Sequence, residues 1–128
     1  MGRKVFLNDN DFVLKMTGIT WLFAFRRTVT IPYKVMSDVT VETFKTPPGM
    51  IRTLGTSVPP SFQQGNYLYN GELYFLSHEH HVPLLHIEIN GHKPYRHVIF
   101  ELDSGYRDLL IDLRKKIREA QKRGFIIF

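Results

Sequence analysis

Residues 77–81, Ser-His-Glu-His-His, bring three imidazoles and a carboxylate into five positions. These are side chains that bind zinc or copper and move protons near neutral pH. The zinc-protease arrangement needs His-Glu, two spacers and a second His on a helix, so that both imidazoles leave one face while the Glu acts as general base. Here Val82 stands where the second ligand belongs, and the stretch lies between strand-like segments. A looser site could use His78, His80, His81 and Glu79, or reach across strands to His86 or His97. On an extended chain His78 and His80 share a side, and two ligands make only a weak site. The expected role is a polar connection between strands, with no catalytic residue, no metal and no cofactor. A small metal-dependent enzyme centred on this cluster is the alternative.

Other catalytic arrangements fare no better. No Ser sits in a nucleophile elbow, and "GMIRTLGTSVPP" runs into prolines and a strand rather than the helix a phosphate cradle needs. Glu101 and Asp103 are accounted for by a strand end and a helix cap. The chain has no cysteine, which removes disulfides, thiolate metal sites and a Cys nucleophile.

Strands must position whatever these residues do. In "GNYLYNGELYFL" the pair Asn70-Gly71, tolerant of the positive φ angles of a type I′ turn, separates two aromatic-rich runs near 65–69 and 72–77. A second pair is "PLLHIEI" and "YRHVIFEL", where Leu85, Ile87 and Ile89 alternate with Leu84, His86 and Glu88. "TVTIPY" and "DVTVETF" alternate in the same way, and "DFVLKMTG" supplies the opening strand. Prolines 47, 48, 59 and 60 with Gly49 predict irregular loop over 46–64, with at most a short strand around "MIRTL".

The last third changes period. Tyr106, Leu109, Leu110, Leu113, Ile117 and Ala120 recur at steps of three and four, which predicts one helix over about 105–123. Asp103 or Ser104 is the expected N-terminal cap and Gly124 the C-terminal one. Residues 105–123 also hold seven bases against three acids, so most of the net charge of +5 sits there. The acids come early and the bases late, as the helix dipole favours. A solvated helix face is the expected role of this charge.

With 128 residues, 43% hydrophobic and 23% charged, the chain is expected to form a single domain, 1–128, with its core over about 12–123. The amino end lacks the apolar core of a signal peptide, and no stretch approaches the ~20 apolar residues of a membrane span. A cytoplasmic location is expected.

The runs "RRTVTIPYKVMSDVTVE", "PGMIRTLGTSVPPSFQQGNYLYNGELYFL" and "VPLLHIEINGHKPYRHVIFELDSGYRDLLIDLRKKI" resemble the bacterial pleckstrin-homology-like (PH-like) domains, over about residues 12–118. The shared features are a strand ending in Ile-Pro, an Arg, Gly and Thr loop before a Gly-x-Tyr strand, and an acidic residue introducing the closing helix. Many relatives of that kind carry adjoining transmembrane helices, and this chain has none. The resemblance implies a mainly β (α+β) fold: a bent antiparallel sheet or partly open barrel of about seven strands, capped by one C-terminal helix. It also implies a non-catalytic binding or assembly module.

Eukaryotic PH domains grip inositol phosphates with a Lys and a later basic-x-Arg group across the first hairpin. Lys15, Arg26 and Arg27 fall in that region, but Thr28 and Val29 follow where another base belongs, so anionic lipid is a weak expectation. An anionic-membrane adaptor using Arg26, Arg27 and the helix bases is a further alternative. Nucleic acid is not expected, because the aromatic residues alternate in core patterns rather than interleaving with Lys and Arg. No small-molecule substrate is indicated. The segment "ITWLFAF", residues 19–25, has six apolar residues in seven and no alternation. Trp21 and Phe23 therefore need cover on one side and Leu22 and Ala24 on the other. Cover by the chain itself satisfies this, and a protein partner or self-association through Trp21 and Phe23 is the functional reading.

Overall fold

The computed structural model describes residues 2–17, 28–58, 62–80, 82–92, 94–102 and 104–126. Among these residues nine strands and one long helix follow in order: β1 (Gly2–Leu7), β2 (Asp11–Thr17), β3 (Thr28–Pro32), a 3-10 turn (Tyr33–Val35), β4 (Met36–Thr43), β5 (Ile51–Val58), β6 (Phe62–Tyr69), β7 (Glu72–His78), β8 (Pro83–Ile89), β9 (His97–Phe100) and α1 (Tyr106–Ile126). The fold is mainly β, with two open sheets and a closing helix. β1–β2–β3 form an antiparallel three-stranded sheet, and the other six run β4-β8-β9-β7-β6-β5.

Alternation explains most strands. In β2, Phe12, Leu14 and Met16 are buried and their neighbours half-buried, and in β3 Val29 and Ile31 are buried between exposed threonines. These side chains meet Val39, Leu85, Ile87, Val98 and Phe100 from the inner face of the large sheet, and Phe12 and Phe100 pack ring to ring at 5.8 Å. Leu113 from α1 is fully buried in the same core, with Leu109, Ile117 and Ala120 half-buried beside it. The helix rests on β4 and the 3-10 turn, and Arg114 Nη2 donates to the Val39 carbonyl at 3.1 Å. The outer face of the large sheet carries a smaller cluster of Tyr67, Leu76, Leu84 and Ile99, covered by Phe44 and Met50.

Four features depart from the sequence reading. β1 lies upstream of the expected opening strand and pairs with β2 from Gly2↔Thr17 to Leu7↔Phe12. The region 46–64 is not mostly loop, since β5 occupies Ile51–Val58 and β6 begins at Phe62, with the proline pairs falling in the connections before and after β5. The helix continues through Gly124 to Ile126; an internal Gly costs about 1 kcal/mol, which does not by itself end a helix. Finally, β9 pairs with β7 in parallel. β7 and β8 run antiparallel with β9 inserted between them, so residues 79–82 must span two strand spacings, roughly 10 Å. Four residues reach that far.

The Asn70-Gly71 hairpin forms as expected: φ is 51° at Asn70 and 74° at Gly71, and Tyr69 pairs with Glu72. The Val98 and Ile87 pairing likewise joins β8 and β9 as an antiparallel hairpin.

Candidate functional site

The insertion of β9 explains what Ser77–His80 do. The crossover from β7 to β8 passes over the carboxyl end of β9, and Glu101, one residue beyond β9, lies under it. Its Oε1 accepts from the amides of Glu79 and His80, both at 2.9 Å, and its Oε2 pairs with His80 Nδ1 at 2.7 Å. Arg3 reaches the same place from β1. Its Nε donates to the Glu101 carbonyl at 2.6 Å, Nη1 to Ser77 Oγ at 3.1 Å, and Nη2 meets Glu79 Oε2 at 2.5 Å. The node ties the three-stranded sheet to the crossover of the six-stranded one.

Its electrostatics follow from these contacts. Burial alone would push the Glu101 carboxyl up, but the hydrogen bonds from His80 and the two amides outweigh it and hold the group below its ordinary value. His80 is raised, first by its hydrogen bond to Glu101 and then by that carboxylate's charge. His78 is lowered, chiefly by burial, and its Nε2 shares a 2.9 Å hydrogen bond with Gln63 Oε1.

Glu79, His80 and Glu101 each present a ligand atom within 4.8 Å of the others. Glu79 is already engaged by Arg3, and Glu101 by His80 and two amide N–H groups, and a cation there would have to share the space with a guanidinium. His78 turns away to Gln63, which also accepts from Thr46 Oγ1 at 3.0 Å. The cluster is therefore split between two structural networks. His81, Trp21, Phe23, Arg26 and Arg27 lie outside the described residues. Lys15 is half-buried on β2.

A second arrangement crosses the outer face of the large sheet, one side chain from each of four neighbouring strands. Glu42 Oε1 of β4 is 2.8 Å from His86 Nδ1 of β8; His86 Nε2 is 2.9 Å from His97 Nδ1 of β9; His97 Nε2 is 3.3 Å from Glu72 Oε1 of β7. Tyr74 stacks on the His97 ring at 4.2 Å and 15°. Arg96 pairs with Glu72 at 3.2 Å and with Glu88 at 3.8 Å. His97 is lowered, first by burial, despite its hydrogen bond to Glu72. The sequence offered a signal for this row, since His86 and His97 both fall at the outward phase of alternating strands; what it withheld was that β8 and β9 are adjacent and flanked by Glu42 and Glu72.

Exposed apolar groups are concentrated elsewhere. Of the six large hydrophobic residues exposed among those described, Ile51, Leu54 and Leu68 all belong to the β5–β6 pair, at 62%, 47% and 39% exposure. Ile51 and Leu68 are direct cross-strand partners, and β5 is the terminal strand of the sheet. Among the described residues no helix is long and apolar enough to cross a membrane. Compared with family models, curated proteins and solved structures, the chain matches none.

Proposed function

We propose that the chain is a non-catalytic binding or assembly module of the PH-like type, and that it self-associates through the edge of its six-stranded sheet. The observation that carries this reading is the coincidence of an edge strand with exposed apolar side chains. β5 is hydrogen-bonded on one side to β6 and pairs with no other described strand, while Ile51, Leu54 and Leu68 stand exposed on this pair. A long apolar edge is a template for another strand. The opposite edge is less open, since α1 packs on β4 and Arg114 takes the Val39 carbonyl. Antiparallel pairing of β5 with β5 of a second copy about a two-fold axis joins identical surfaces and needs no second partner.

The side chains that would have to run a reaction at 77–80 are engaged in holding the crossover, which supports a non-catalytic role. Light scattering over a concentration series tests the proposal. A dimer mass that falls to the monomer value in the Ile51→Lys, Leu54→Lys double variant is expected. A monomer at every concentration overturns it.

A second reading has its own observation. Arg107, Lys115, Arg118 and Lys122 are exposed on α1 at spacings that return to one side, together with Ile111, which is 57% exposed. That stripe suits a weakly bound anionic surface. Vesicles containing anionic phospholipid should then retain the protein at low salt and release it at physiological salt.

A further inference from the structure

The row Glu42–His86–His97–Glu72 poses a problem of protons. Each outer carboxylate is an acceptor, so it favours an N–H on the ring nitrogen facing it. With N–H at His86 Nδ1 and at His97 Nε2, two neutral rings are left with bare lone pairs at His86 Nε2 and His97 Nδ1. Those two nitrogens are 2.9 Å apart and point at one another. A cation between them relieves this arrangement, either a proton taken up by one ring or a metal ion held by both. The geometry points to a binding site for a divalent transition-metal ion, of the zinc or copper class, between His86 Nε2 and His97 Nδ1.

Three features fit that ligand class. Imidazoles that bind metal usually donate their other N–H to a carboxylate, which fixes tautomer and ring angle, and Glu42 and Glu72 stand in that position on the two rings. Both rings are already constrained, His97 by the Tyr74 stack, and their side chains are 18% and 11% exposed for His86 and His97. A tetrahedral ion at the ~2.0 Å zinc–nitrogen distance needs its two nitrogens roughly 3.3 Å apart, so the rings separate by a few tenths of an ångström and turn toward a common point off the line between them. A groove of about 180 Å³ beside His86 is lined by Asp38, Thr40, Glu42, His86 and Glu88, and its three carboxylates attract cations. Glu88 is the cross-strand partner of His97 and lies two residues from His86 on the same strand face; its carboxylate would have to turn toward the two rings to supply a third ligand. Its present partner, Arg96, holds it only at 3.8 Å. This site is separate from the 77–81 cluster and independent of self-association.

The test is titration of the dialysed full-length chain with zinc ion, followed by calorimetry. One ion per chain is expected, with affinity reduced more than about tenfold in His86→Ala and by roughly tenfold in Glu42→Gln, and unchanged in His80→Ala. Nitrogen-15 histidine spectra of the unmodified protein give a second readout that needs no variant: zinc should move His86 Nε2 and His97 Nδ1 and leave His80 in place. No binding overturns the site, which then holds a shared proton only. Binding that survives His86→Ala, or zinc-induced shifts confined to His80 and the other histidines, overturns it equally.

Discussion

Arg3 and Glu79 meet across the join between the two sheets, Nη2 to Oε2 at 2.5 Å, with the Arg3 side chain only 4% exposed and that of Glu79 12%. They are 76 residues apart in sequence, so the contact exists only when β1 is docked and the crossover is formed. Removing one partner leaves the other largely buried without its counter-charge. Arg3→Leu should destabilise by about 3 to 5 kcal/mol, and adding Glu79→Leu should restore part of that loss. Urea denaturation of both variants checks this, and a single variant as stable as the parent would show that the pair is not closed in solution.

The Glu101–His80 pair gives the stability a pH signature. The folded state holds Glu101 below its ordinary value, so its contribution is complete above the unfolded value and is lost as pH falls through the lowered one. His80 is raised, so its contribution is complete below its unfolded value and is lost as pH rises through the raised one. The pair therefore acts in the window between them. Glu101→Gln should lose stability against the parent at about pH 6, and the difference should shrink as pH falls below the ordinary carboxylate range and through the lowered Glu101 value. A difference that stays constant across that range would contradict the assignment.

The helix contributes through one residue above all. Leu113 is wholly buried where α1 meets the core, and Leu113→Ala should cost about 2 to 5 kcal/mol. Lys115, exposed on the opposite side, should tolerate the same change with an effect of roughly 0.5 kcal/mol or less. Equal melting temperatures for Leu113→Ala and the parent would detach the helix from the core.

Local signals in the sequence were enough for the pieces that local physics determines. Asn70-Gly71 specifies its own turn, and the spacing of Leu109, Leu113 and Ile117 specifies the buried side of α1. The insertion of β9 between β7 and β8 is a long-range choice, and no short-range pattern encodes it. For that reason the 77–81 stretch looked like chemistry: Ser77, Glu79 and His80 answer to Arg3 and Glu101, which are distant in sequence. β1 escaped notice because Arg3 and Lys4 disguise its alternation, although Val5 and Leu7 pack against the core and Arg3 turns towards the crossover. The sequence allowed a short strand around residues 51–54, but the flanking prolines concealed that it runs on to Val58 and forms the edge of the sheet.

Amide hydrogen exchange of residues 51–58, followed as the protein is diluted, tests the self-association proposal most directly. Pairing between two copies of β5 predicts slow exchange in this segment at high concentration and faster exchange on dilution, with β9, buried in the centre of the sheet, unchanged. Exchange over 51–58 that is fast and identical at every concentration would contradict an edge-paired assembly.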